Sequence, residues 1–197
     1  MKHLMLGTLA VLLALPAAAL SPKETIEAKY GEIQKVIDTD KTDDGVRTKV
    51  TAILESFTDF KTFSRMTLKK HWKTLTDDQK KTFIERYRKL LHKSYVKHFK
   101  AGQKLDLSFR GEPRVVGNKA MVMTNVKSGQ TNAEVDYKLH KVGEAHMAYD
   151  IVIDEVSLMR NYRKQFSKII KRDGFDKLIE KIEKKLADKN SESDDIE

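Results

Sequence analysis

Apolar residues along this chain keep two different periods, and the change between them divides it. From Lys23 to Thr39, Ile26, Tyr30, Ile33 and Ile37 recur at three- and four-residue steps and predict one amphipathic helix. The polar, turn-prone run Asp40 to Gly45 ends it. Val46, Val50, Ile53, Leu54 and Phe57 then predict a second helix, and Phe60, Phe63 and Met66 a short helix or turn. Thr76 followed three residues later by Gln79 is a capping-box pattern. It opens the longest helical stripe, Phe83, Ile84, Tyr87, Leu90, Leu91, Tyr95 and Phe99, which is predicted to run to Gly102.

Beyond Gly102 the period falls to two. Leu105, Leu107 and Phe109 alternate, Val115-Val116 and Ala120 to Val126 flank the turn Gly117-Asn118-Lys119, and Ser128-Gly129-Gln130 turns the chain again. Val135, Tyr137 and Leu139 then alternate with Asp136, Lys138 and His140. After Gly143-Glu144, Tyr149, Ile151 and Ile153 line one face of a further strand. Ser157 stands where an N-cap is wanted, and Leu158, Met159, Tyr162, Phe166, Ile169 and Ile170 carry the apolar stripe into a helix. Gly174 and the stripe Leu178 to Leu186 follow. The pattern predicts an α+β domain, an antiparallel sheet of four to five strands with helices before and after it covering one face.

Composition changes this picture in three places. Met1 to Ala19 has Lys2 and His3, an apolar run from Leu4 to Leu15, then Pro16 and three alanines, which predicts a cleaved secretory signal peptide at 1–19. A membrane anchor is the other reading of that run, but it is too short to span a bilayer. Cysteine is absent, so neither a lipidated Cys nor a disulfide is available, and residues 20–187 must hold together as one domain by packing alone. In a bacterium the address is the periplasm. The stretch 188–197, DKNSESDDIE, is expected to be an acidic disordered tail.

A formal net charge of +9 points to nucleic acid or an anionic membrane as partner, and export argues against nucleic acid. Between Lys69 and Lys104 there are twelve Lys or Arg against three acids, so the long helix has a basic face. That face is either a solubilising surface or a contact for a membrane or partner, with Lys89, Lys93 and Lys97 as candidates. Histidines at 3, 71, 92, 98, 140 and 146 do not cluster with carboxylates, which predicts solvated side chains and no metal site. Asp150, Asp154 and Glu155 could form a carboxylate pair. Alternation instead places Asp150 and Asp154 opposite Ile151, to face water or bond nearby backbone.

The candidate site is the apolar sheet face and the helices over it. Leu105, Leu107, Met121, Met123, Val135, Tyr137, Leu139, Tyr149, Ile151 and Ile153 are expected from strands, and Phe63, Tyr87, Leu91, Tyr95, Val156, Met159 and Tyr162 from helices. These residues serve a filled core or a hollow one equally well, and the pattern alone does not choose.

Two runs carry a resemblance. Tyr149 to Ile170, with Gly174 and Leu178 to Leu186, resembles the closing signature of the MlaC or toluene-tolerance family, and His71 to Tyr95 resembles that family's central helix. At Asp154-Glu155 the chain departs from it, since the family usually has an acid followed by glycine. The resemblance implies an NTF2-like or cystatin-like core in which a twisted sheet and helices enclose an apolar lipid cavity, with no cofactor besides bound phospholipid. It further implies a monomeric periplasmic carrier of diacyl phospholipid. Its partners would be an inner-membrane Mla ABC complex with an MCE-domain subunit and an outer-membrane lipoprotein–porin complex. Hopanoid or another apolar lipid is the alternative cargo, and an exported NTF2-like enzyme or a periplasmic chaperone the alternative function.

Overall fold

Helices lead the chain in the computed structural model, which describes residues 19–188 and residue 196. The expected signal peptide falls almost wholly outside the described residues. Helix α1 (Pro22–Thr39) opens with a capping box in which the Ser21 hydroxyl accepts from the Glu24 N–H and the Glu24 carboxylate from the Ser21 N–H. Helix α2 (Asp43–Phe57) is capped by Thr42 and α3 (Phe60–Leu68) by Asp59. A 3-10 segment (Lys69–Thr74) leads to α4 (Asp77–Tyr95), whose Thr76/Gln79 capping box forms as the spacing predicts. The helix stops at Tyr95, short of Gly102. A 3-10 turn (Val96–His98) swings Val96 and Phe99 onto α1 and α2, where they pack with Ile33, Ile37, Val46 and Val50.

The sheet is antiparallel, in the order β1-β3-β4-β5-β6, with β2 also paired to β3. Its strands are β1 (Asp106–Phe109), β2 (Arg114–Val116), β3 (Lys119–Ser128), β4 (Thr131–Val142), β5 (Ala145–Ile153) and β6 (Val156–Ser157). The strand beyond the expected four or five is the short β6, and β2 is the short Val115-Val116 arm before the Gly117-Asn118-Lys119 turn. Helix α5 (Leu158–Asp173) follows β6 directly, and α6 (Phe175–Ala187) turns back at Gly174, whose φ of 86° suits glycine.

Register decides which side chains meet the helices. Ala120, Val122 and Thr124 of β3 lie opposite Leu139, Tyr137 and Val135 of β4, and Tyr137 and Val135 lie opposite Ile151 and Ile153 of β5. This inner face, with Leu107 and Phe109 of β1, packs on Ile26 of α1 and Phe57 of α2. Three expected positions fall elsewhere. Met121 and Met123 pair with Lys138 and Asp136 on the outer face, because the apolar run Ala120 to Met123 has no polar alternate to reveal its parity. At Tyr149 the pairing slips: Lys138 opposes Asp150 while Leu139 opposes Ala148, so Tyr149 is the extra residue of a bulge. Its ring sits 5.5 Å from that of His140 and beneath the Lys119 ammonium, both on the outer face.

At the far end Asp154 and Glu155 make a two-residue hairpin turn, both at positive φ (45° and 66°). Asp154 is held there: its N–H donates to the Glu134 carbonyl and its carboxylate accepts from the Glu134 N–H. Val156 is 53% exposed at the sheet edge, not under a helix as expected. Ile196, inside the stretch read as a disordered tail, is buried against the helical core and donates its N–H to Gln165 Oε1. The other residues of that stretch beyond Asp188 lie outside the described residues.

Among the described residues Glu155 has no such anchor for its left-handed backbone. Glu155→Gly is expected to stabilise the domain by about 0.5–1 kcal/mol, the relief of side-chain strain less glycine's added chain entropy, a Tm rise of roughly 1–4 °C. Calorimetry of the purified chain checks it, and an unchanged or lower Tm would mean the turn is unstrained.

Candidate functional site

Two apolar cores lie side by side beneath the sheet. The first is helical: Tyr87 of α4 is fully buried, its ring 5.7 Å from Phe63 and 5.3 Å from each of Phe83, Tyr162 and Phe166. Leu91, Met159 and the α6 residues Leu178 and Ile182 close around it, and Tyr95, Ile151 and Ile153 pack at its margin. The second, under the sheet, joins Val122, Tyr137, Leu139 and Ala148 to Ile26 and Phe57, with Leu107, Val135 and Ile151 at its margin. Ile151 thus packs against both, and it marks the seam between them.

Of the predicted lining residues, Phe63, Tyr87, Leu91, Met159 and Tyr162 come together in the first core and Val135, Tyr137, Leu139 and Leu107 around the second. Leu105 packs in the third cluster between α1 and α2. Sequence reasoning passed over Ile26, Tyr30, Phe57, Phe83 and Phe166 as site residues. Their stripes were visible, but which stripe faces which strand depends on long-range packing.

Polar groups inside these cores are few, and most are hydroxyls. Tyr30 and Tyr137 share a 2.8 Å hydrogen bond. Burial pushes the Tyr30 hydroxyl up to about 12, against the opposing pull of that bond, and drives Tyr137 and Tyr87 well above the ordinary tyrosine value. Thr67 donates to the Phe63 carbonyl at 2.9 Å and lies 3.4 Å from the Tyr87 hydroxyl, while Ser94 and Tyr162 are 3.5 Å apart. The fully buried Ser64 hydroxyl has no hydrogen-bond partner among the described residues. Neutral hydroxyls in an aromatic and aliphatic setting suit a long apolar ligand with few polar groups.

Asp150 does not face water. It is fully buried, accepting from Lys138 Nζ (2.8 Å), Ser157 Oγ (2.7 Å) and the Met159 N–H (3.1 Å). Those three donors occupy the carboxylate, so it is a structural group, and Asp154 and Glu155 are exposed in the turn. Two histidines also differ from expectation: His140 Nε2 lies 3.1 Å from Asp59, the N-cap of α3, and His92 Nδ1 3.6 Å from Glu55 of α2, and both rings are half-buried. Burial lowers the affinity of His92 for a proton, an effect Glu55 opposes. Among the described residues no three side chains form a metal-binding group.

The basic face of α4 is largely engaged by its own fold. Arg86 pairs with Glu183 of α6 at 2.8 Å, Arg88 with Glu55 of α2 at 3.4 Å, and Lys89 with Glu85 at 2.8 Å. Lys93 donates to the carbonyls of Lys185 (2.8 Å), Leu186 (3.1 Å) and Asp188, closing the C-terminus of α6. Of the expected contact residues Lys93 therefore has a structural task. Open cavities lie elsewhere: a groove of about 830 Å³ along α5, and one of about 400 Å³ beside Asp106, Ser108 and Asn125.

A solved structure of a phospholipid-binding protein from Ralstonia solanacearum, in complex with a phospholipid, has the same fold. Its TM-score is 0.76 at 21% sequence identity, over 87% of this chain and 98% of that one. None of the curated proteins matches the sequence. The family described as MlaC protein matches residues 27–184, from the first turns of α1 to the last of α6, and the chain belongs to the MlaC family.

Proposed function

We propose that this chain is a periplasmic carrier that takes up diacyl phospholipid between its two cores and passes it between membrane complexes. The observation that carries the reading is the seam at Ile151, in a fold whose Ralstonia relative was solved holding a phospholipid. Along that seam one apolar layer can part from the other while each keeps its own packing. Acyl chains entering there re-cover the surface that separation exposes, so opening in the presence of lipid carries little net hydrophobic cost. The tyrosine and serine hydroxyls beside the seam then offer hydrogen bonds to ester groups without burying charge.

The need for such a carrier follows from magnitude. At about 0.8 kcal/mol per methylene, two tails of roughly 30 methylenes in all would cost on the order of 24 kcal/mol to expose to water. A protein offering equivalent apolar volume removes most of that barrier, and no bond is made or broken. In this reading the donor and acceptor are an outer-membrane lipoprotein–porin complex and an inner-membrane ABC complex with an MCE-domain subunit, and the outcome is outer-membrane lipid asymmetry.

Organic-solvent extraction of the purified full chain followed by mass spectrometry is expected to return stoichiometric diacyl phospholipid. An extract with no lipid would remove the carrier reading, and a triterpenoid would replace the cargo. Ile151→Asp sharpens the test. In a closed core it would bury an unpaired carboxylate and consume several kcal/mol of a stability of about 5–15 kcal/mol. At an opening seam water reaches the new carboxylate, so the variant is expected to keep its cooperative melt and lose its lipid. A folded variant with its full lipid load would place the cargo elsewhere.

The α4 lysines separate in the same assays. Lys93→Glu is expected to lower Tm by removing the cap on α6, a loss of about 1 kcal/mol or more. Lys89→Glu, which gives up only an exposed pair with Glu85, should change Tm far less and slow lipid transfer to the partner complex at low salt, where screening is weakest. Transfer at the wild-type rate at low salt would make that face a solubilising surface only.

A further inference from the structure

The inner face of α5 contributes Met159, Tyr162, Phe166 and Ile169 to the helical core, and its outer face is a different surface. Arg160, Arg163, Lys164, Lys168, Lys171 and Arg172 line the 830 Å³ groove there, with Ser167 as the remaining lining residue. The run from Arg160 to Arg172 covers about 18 Å of helix at 1.5 Å per residue. Two of the six cations are engaged: Arg163 donates to the Met66 carbonyl through Nε (3.1 Å) and Nη2 (2.6 Å), and Arg172 pairs with Asp173 at 2.7 Å. The others, Arg160, Lys164, Lys168 and Lys171, are exposed and make no ion pair among the described residues. Here α5 differs from α4, whose cations pair with acids of their own helix or meet acids and carbonyls of α2 and α6.

We propose that this groove is a docking surface for the anionic phospholipid headgroup layer of a membrane. Six cations and one hydroxyl, with no aromatic or aliphatic residue among those that line the groove, give charge complementarity to a diffuse layer of phosphates. The same composition is a poor match for a protein partner, since protein interfaces centre on buried aromatic and aliphatic anchors with charge at the rim. Unpaired cations also avoid the loss of an existing ion pair on docking. If the seam at Ile151 is the cargo site, as proposed above, the helix that touches the membrane is also a wall of that site, because Met159 and Tyr162 are on its inner face. The docking itself does not depend on that reading.

The test is cosedimentation of the full chain with vesicles of phosphatidylcholine and phosphatidylglycerol, or of phosphatidylcholine alone. Wild-type protein is expected on the anionic vesicles at low salt, released at high salt, and absent from the neutral ones. Each basic side chain at an anionic surface is worth about fivefold in affinity, so Lys164→Glu with Lys168→Glu and Lys171→Glu should weaken binding by at least about a hundredfold. A charge-matched control, Lys35→Glu with Lys41→Glu and Lys141→Glu, should lose far less, and melting curves check that both variants fold. Equal losses in the two variants would mean net charge alone is read and would overturn the proposal. So would wild-type binding by the α5 variant, or no binding of wild type to anionic vesicles, which would leave an acidic protein as the groove's partner. Solvent extraction of the α5 variant keeps the two readings apart: lipid in the extract with no vesicle binding is the expected result, and an extract without lipid counts against the cargo reading only.

Discussion

The buried carboxylate of Asp150 sets the course of the second half of the chain. A charge with no exposed surface must be matched in place, and three donors do so: the Lys138 ammonium on the neighbouring strand, the Ser157 hydroxyl, and the Met159 N–H at the start of α5. Ser157 completes the knot, because the hydroxyl that donates to Asp150 accepts from the Arg160 N–H as the N-cap of α5. A negative charge at a helix N-terminus also suits the helix dipole. Leaving a buried acceptor without one of its donors costs about 1–3 kcal/mol, and more where it is charged, so the direction in which α5 leaves the sheet is strongly specified. With that direction set, Met159, Tyr162 and Phe166 turn toward α4 and the cationic side chains turn to water.

The knot also accounts for the turn that precedes it. To bring Ser157 back against Asp150 the chain must reverse within two residues, and that reversal puts Asp154 and Glu155 at positive φ. Asp154 offsets its conformation with two hydrogen bonds to Glu134, while Glu155 has none there. A strained, glycine-free turn persists because the surrounding contacts over-determine it.

How much of this could be read from the sequence depends on the range of the interaction. Caps and stripes are local, so Thr76 with Gln79, Ser157, and the faces of α1, α2 and α5 are legible within a few residues. Strand parity is legible where polar residues alternate, as at Val135, Tyr137 and Leu139, and illegible in Ala120 to Met123, where only pairing with β4 reveals that the methionines face outward. The Tyr149 bulge is invisible to alternation, since one extra residue reverses the parity of what precedes it. Alternation put Asp150 on the correct side of β5, but its burial depends on Lys138, twelve residues away. The same holds for Lys93: its charge marks it as a surface residue, and only the arrival of α6 turns it into a cap.

Charge in this protein therefore has to be located before it can be interpreted. Counting along the sequence assigns the basic character to α4, because twelve Lys or Arg fall between Lys69 and Lys104, although only six of them lie in the helix itself. In the folded chain, α4 is crossed by α6 and flanked by α2: Glu183 pairs with Arg86, Glu55 with Arg88, and the last carbonyls of α6 accept from Lys93. Helix α5 also carries six Lys or Arg, but among the described residues no other helix contributes to its outer groove, and its single acid, Asp173, lies at its last residue. An amphipathic helix with an apolar face over the helical core and a cationic face toward water couples two environments across one element about 10–12 Å thick. The interaction that fixes α5 at its N-terminus is thus the one that holds those two faces in register with the core on one side and with an anionic surface on the other.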